Sequence, residues 1–268
     1  MHRLLPALCA WLLSAFANAQ QLEPPAAPER NGYAFDAPRI LAQQRLFGIA
    51  HGVGLLADAC RAVPAAASAD EAAYALWRVG QQAAIAAAQA DLSDYYFGNA
   101  TTAWQEVAGK MALKDALDLA PDSDELQSAC ASLPEALQQP RYDLAERFRL
   151  EELMTRAVAA VETEARERHC RGLFSDQLLE LHVARYELWR EINLPVLAES
   201  NKALADAWPA DGPAPSFDEW YAEVRRTTQA GGRLADCIAF SESLKRSETA
   251  LRNVFRMPPP IQPNMHPQ

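Results

Sequence analysis

The chain has 268 residues, half of them hydrophobic and 22% charged, enough for one large core or two modest ones. Its formal net charge of −10 argues against general nucleic-acid binding, which needs clustered Lys and Arg to displace counterions, and against docking on anionic lipid. Glycine is scarce, with 11 in the chain, and alanine is abundant, which favours helix over sheet. Lys110, Lys114, Lys202 and Lys245 are the only lysines among many arginines, a bias that fits GC-rich bacterial coding.

Residues 1–19 read as a secretory signal. His2 and Arg3 precede an apolar run from Leu4 to Phe16, and Ala17-Asn18-Ala19 is an A-x-A site with the cut expected after Ala19. That run is too short for a comfortable transmembrane helix, and no other segment is long and apolar enough to span a bilayer. The expectation is a periplasmic or secreted protein with no membrane insertion once the signal is removed. Residues 20–37 are polar and carry Pro24, Pro25 and Pro28, which reads as a flexible leader.

Helical spacing then marks eight segments. The first, from Pro38 to Cys60, carries Leu41, Leu46, Ile49, Val53 and Leu56. Ser68-Ala69-Asp70-Glu71 has the form of a capping box and opens the second, which runs to Leu92 or Tyr96. The third begins near Thr101 or Thr102 and holds Trp104, and the fourth begins near Asp122 and holds Cys130. A long helix from about Arg141 to Cys170 stops at Gly172. The next starts at Ser175 and runs past Trp189, with a kink expected at Pro195. Asp211-Gly212-Pro213 reads as a loop. Ser216-Phe217-Asp218-Glu219 is a second capping box, opening a helix with Trp220, and Gly231-Gly232 breaks the chain before a last helix from Arg233 to Arg256. Residues 258–268 form a proline-rich tail expected to be disordered.

These segments repeat. Ala72-Ala73-Tyr74-Ala75-Leu76-Trp77-Arg78 and Ala184-Arg185-Tyr186-Glu187-Leu188-Trp189-Arg190 both read A-x-Y-x-L-W-R. A cysteine precedes each copy (Cys60, Cys170) and another comes after it (Cys130, Cys237). Beyond the second cysteine, Glu135, Leu137, Leu144, Phe148 and Arg149 align without gaps on Glu242, Leu244, Leu251, Phe255 and Arg256. The fold expected is therefore all-α, a tandem duplication of two fused four-helix units over 38–140 and 141–257. Cys9 leaves with the signal, and an even count of cysteines in an exported chain implies disulfides. Four cysteines allow three pairings, and the repeat selects Cys60–Cys130 and Cys170–Cys237, one per unit.

Tyr74, Trp77 and Arg78, with Tyr186, Trp189 and Arg190, lie three and four apart on one helical strip. As a binding strip they could hold an acidic or aromatic group, with each Arg over a ring. As core residues, the rings would fill the bundle while each Arg pairs with a carboxylate, and packing is the simpler expectation. Trp104 and Trp220 each come just after a helix start. They read as core anchors, or as a partner-binding surface if exposed.

Catalytic chemistry is not legible. C-x-x-C, C-x-x-C-H, H-E-x-x-H, G-x-S-x-G, Walker and dinucleotide motifs do not occur, and His51, His169, His182 and His266 fall into no ligand spacing. No catalytic residue, cofactor or metal is therefore assigned. The expectation is a non-catalytic helical binding protein with a protein partner, in the manner of periplasmic immunity or inhibitor proteins. The alternative is a small-molecule or envelope-ligand carrier with a Tyr/Trp/Arg-lined pocket, with an enzyme a distant third.

Overall fold

The computed structural model describes residues 30–64, 66–99, 101–120, 122–208, 215–246 and 249–258, and among these the regular structure is entirely helical. The elements are α1 (Pro38–Cys60), α2 (Ala67–Phe97), α3 (Trp104–Lys110), α4 (Asp124–Ala136), α5 (Leu144–Arg171), α6 (Asp176–Ala207), α7 (Phe217–Thr227) and α8 (Leu234–Ser243), with one turn of 3₁₀ helix at Pro140–Tyr142. No described helix is long and apolar enough to cross a membrane. The signal, Cys9, the start of the leader, the Asp211-Gly212-Pro213 loop and all of the tail beyond Pro258 lie outside the described residues.

Two long helical hairpins carry the core. The turn between α1 and α2 and that between α5 and α6 are only a few residues long, so each pair folds back on itself. Leu46, Ala50, Val53 and Ala57 of α1 pack with Trp77 of α2 and with Leu126 and Leu133 of α4. Ala160 and Cys170 of α5 pack with Tyr186, Trp189 and Val196 of α6 and with Cys237 and Phe240 of α8. The disulfides form as expected, Cys60–Cys130 joining α1 to α4 and Cys170–Cys237 joining α5 to α8, with all four cysteines buried.

The expected boundary between the units falls in the one-turn 3₁₀ helix between α4 and α5, and contacts cross it. Leu144 and Phe148 of α5 pack into the core of the first hairpin, and the Arg45 guanidinium of α1 pairs with Glu151 of α5 at 2.7 Å. Phe148 also meets its aligned counterpart Phe255, with ring centroids 5.2 Å apart. The helix that begins beside the first hairpin therefore runs unbroken to Arg171 as one arm of the second.

Four local expectations need correction. Ser68 does not cap α2. The Val63 carbonyl already accepts from the Ala66 and Ala67 N–H groups, so the helix starts at Ala67 without a side-chain cap. Ser216 and Glu219 do form their capping box on α7. The long helix does not start at Arg141: Asp143 caps α5 by accepting from the Glu146 N–H at 3.0 Å. The last helix ends at Ser243, and residues 249–256 are turns, because two side chains of α6 capture that backbone. Finally, residues 30–37 of the leader are pinned. Buried Gln44 accepts from the Ala34 N–H at 2.9 Å and donates to the Gly32 carbonyl and to Tyr96, whose hydroxyl also donates to Gly32 at 2.6 Å. Burial pushes the Tyr96 phenol up to about 12.

Each disulfide closes a loop of 70 or 67 residues. Replacing either pair by serine is expected to lower the unfolding free energy by about 4 kcal/mol on loop entropy. Urea titration checks this, and a change below about 1 kcal/mol would show that the core stands without the bridges.

Candidate functional site

Trp77 and Trp189 are buried, and each is fully used by the fold. The Trp77 indole N–H donates to the Tyr142 carbonyl at 2.9 Å, and the Trp189 indole N–H donates to the Thr249 carbonyl at 2.8 Å. Tyr142 stands twelve residues after Cys130, and Thr249 twelve after Cys237. Two residues further on, the match continues. The Leu144 N–H donates to Gln81 Oε1 at 2.9 Å and the Leu251 N–H to Asn193 Oδ1 at 2.7 Å, Gln81 and Asn193 each lying three residues past the motif arginine. The tyrosines stack beside the tryptophans, with centroids 6.2 Å apart for Tyr74–Trp77 and 5.9 Å for Tyr186–Trp189.

The motif arginines do not cover the rings. Arg78 reaches the Tyr74 hydroxyl at 3.5 Å, and Arg190 pairs with Glu187 at 3.6 Å. Both guanidinium groups stand on the solvent side, where an edge-on hydroxyl or a carboxylate is nearer than a ring face. The described cation–π contacts lie elsewhere, as with Arg39 over Phe148 and Arg30 over Tyr95.

Each Tyr/Trp pair nevertheless walls a cleft. The first, of about 620 Å³, brings together Tyr74, Trp77, Arg78 and Trp104 with His51, Asp58 and Asp115. The second, of about 390 Å³, has Tyr186, Trp189 and Arg190 with Glu164, Glu167 and Arg168. Burial and these two glutamates hold the Tyr186 phenol above its ordinary value. Trp104 is half-buried, stacks on Phe47 at 3.8 Å and donates its indole N–H to His51 Nδ1 at 3.0 Å. His51 Nε2 faces the Lys114 carbonyl at 2.7 Å. A carbonyl only accepts, so Nε2 carries the proton and Nδ1 takes the indole. Both ring nitrogens are thereby occupied, which leaves His51 no free base in the cleft. His169 Nε2 meets the Gly232 carbonyl at 3.0 Å.

Trp220 sits in a different setting, with no counterpart of the Trp104–His51 bond. It lies on α7 in a partly buried group with Trp208, Phe217 and Tyr221, the Trp208–Trp220 centroids being 5.1 Å apart. The four rings pack against Leu153, Ala157 and Leu204. α7 itself has no fully buried residue.

Residue type alone gives no sign that Asp70 and His182 are buried. Each stands four residues before the motif tyrosine, so extending the register would have marked the pair. Asp70 is 1% exposed and neither carboxylate oxygen has a partner, and burial pushes its carboxyl up. His182 is fully buried between Phe174 and Phe240; the Glu167 backbone is the polar group nearest its ring, and neither ring nitrogen makes a hydrogen bond of ordinary geometry among the described residues. Burial pushes the imidazole down, against the opposing pull of Glu167 and with Arg171 and Arg185 adding to the fall. Asp70 also lies beside the first disulfide. Cys60, Asp70 and Cys130 are the one described trio of metal-ligand types in close reach, but both sulfurs are already bonded to each other.

Comparison with protein-family models, with curated proteins and with solved structures gives no match for this chain.

The two buried groups give opposite pH dependences. Folded His182 resists the proton that the unfolded chain accepts below about pH 6.5, so its contribution is full above that pH and is lost as the pH falls. Folded Asp70 keeps a proton that the unfolded chain sheds above 3.8, so its contribution is full in acid and is lost as the pH rises. Urea titrations across pH are expected to lose the acid-side decline in His182→Phe, and the rising-pH decline in Asp70→Asn. Profiles parallel to the parent would contradict the assignment.

Proposed function

We propose that this chain is an exported, non-catalytic helical protein that engages a protein partner through the aromatic group around Trp220. The observation that carries this reading is α7. An 11-residue helix that buries none of its residues fully still presents Phe217, Trp220 and Tyr221, beside Trp208 at the end of α6. Trp and Tyr dominate the energetics of protein interfaces, because a large rigid surface is desolvated at small entropic cost. Beside Trp208 lies a cleft of about 240 Å³ with Leu150, Met154 and Leu204 in its wall, sized for an apolar side chain of a partner.

Export is supported by the signal-like residues 1–19 and by two buried disulfides, which persist in oxidising compartments. Tandem duplication of a four-helix unit is part of the same proposal. Its support is the recurrence of the Trp-to-carbonyl and amide-to-N–H bonds at aligned positions, alongside one disulfide per copy.

A second reading, a small-molecule carrier, has the two clefts beside Tyr74–Trp77 and Tyr186–Trp189 in its favour, both within the usual size of ligand sites. Against it, the indole N–H groups already serve the backbone and cannot orient a ligand.

Native purification with intact mass spectrometry separates the two readings. A co-purifying protein, with affinity lowered about thirtyfold by Trp220→Ala at unchanged disulfide pairing, is the expected result; this corresponds to a hot-spot cost of about 2 kcal/mol. A small adduct released on denaturation, indifferent to Trp220→Ala and lost in Tyr74→Ala or Tyr186→Ala, would overturn it in favour of the carrier.

A further inference from the structure

The core-facing side of α6 is complete. His182, Tyr186, Trp189, Asn193, Val196, Ser200 and Leu204 succeed one another at three- and four-residue steps and are all buried. A second apolar row runs along the same helix where no described element covers it. Leu178, Leu181, Leu188 and Ile192 are 47%, 46%, 54% and 59% exposed. Their spacing of three, seven and four places them on one stripe.

Arg185 takes the middle position of that stripe, beside α8. Its guanidinium turns to the Ser241 hydroxyl at 3.1 Å and to Glu242 at 2.6 Å, which leaves its side chain 14% exposed. Leu178 and Leu181 stand exposed on one side of this pair, and Leu188 and Ile192 on the other. Scattered surface leucines need no explanation, but a contiguous row rimmed by charge marks a contact surface.

The border away from α8 is acidic. Glu180, Glu187 and Glu191 each precede a member of the row, so their carboxylates run parallel to it, one helical step round. Glu187 has only the 3.6 Å contact with half-exposed Arg190. Glu180 and Glu191 have no ion pair or hydrogen bond among the described residues.

We propose that the row Leu181, Leu188 and Ile192, with its border of Glu180, Glu187 and Glu191, is a docking strip for a basic amphipathic helix of a partner protein. The row would take leucine-type side chains at three- and four-residue spacing, and the border would take the Lys or Arg beside them. A second copy of this chain would set one carboxylate border against another, and an anionic membrane surface is repelled by the same border. The strip is distinct from the Trp220 group, though it rests on the reading of this chain as a protein binder.

The test uses the full disulfide-bonded chain and a synthetic amphipathic Leu/Lys helix, with a Leu/Glu helix of the same pattern as control, read by fluorescence anisotropy and by NMR shifts of the protein. The Leu/Lys helix is expected to bind and to shift Leu181, Leu188 and Ile192, and the Leu/Glu helix not to bind. Leu188→Ser with Ile192→Ser, and separately Glu180→Lys with Glu191→Lys, are expected to weaken binding at least about tenfold with an unchanged melting temperature. All of these positions face solvent, so folding is not at stake. Binding that ignores both pairs overturns the strip, as does no binding at all or concentration-dependent self-association that Leu188→Ser abolishes. Binding that survives both pairs but falls in Trp220→Ala moves the partner to the aromatic group, overturning the strip while leaving the protein-partner reading intact.

Discussion

Two indole N–H bonds organise this molecule. Trp77 and Trp189 each project from the middle of a long helical hairpin and hold a carbonyl that lies just beyond the short helix carrying the second cysteine. A buried carbonyl left without a donor costs about 1–3 kcal/mol, so each bond fixes where the chain must pass. The amide of Gln81 or Asn193 then takes the N–H two residues further on. Together the two bonds define the exit of the backbone. The disulfide secures the same short helix, at Cys130 in the middle of α4 and at Cys237 in the first turn of α8.

Beyond this exit the two hairpins diverge, and the divergence makes the architecture. After Tyr142 the chain enters α5, whose first turns complete the core of the first hairpin and whose remainder begins the second. After Thr249 the described chain forms no further helix. It folds into turns that return Phe255 to Phe148 and bring Met257 against the cluster of Ala34, Ile40 and Phe47. The same bond is thus followed by a helix beside one hairpin and by a returning chain beside the other. With Trp77 and Trp189 spent in this way, the faces proposed for recognition are ones that the clamps do not use: the rings on α7 and the leucine row on α6.

The cysteine pairing was legible in the sequence because the repeat places one cysteine on either side of each motif, and the long helices were legible from their apolar spacing. The role of the motif was not, since the partners of Trp77 and Trp189 are backbone carbonyls, and a carbonyl leaves no mark in residue type. For the same reason the last helix was drawn too long: nothing in Leu251 announces that Asn193 takes its N–H. Gln43 and Gln44 are polar yet buried, Gln44 to hold the chain at Gly32 and Ala34, and nothing in the apolar spacing of α1 marks them. The outer leucines of α6 were hidden by the opposite effect. A helix apolar on two sides reads like an ordinary core helix until one side is seen to have no neighbour.

The central claim is that the repeated tryptophans act as backbone clamps. Hydrogen exchange of the indole N–H groups, tracked by NMR on the native protein, tests it without a mutation. The indole protons of Trp77 and Trp189 should exchange only through opening of the hairpins and be protected by several orders of magnitude relative to that of Trp220, which has no described hydrogen bond on its indole nitrogen. Exchange of either proton as fast as that of Trp220 would contradict the account and return the Tyr/Trp strips to the status of open binding walls.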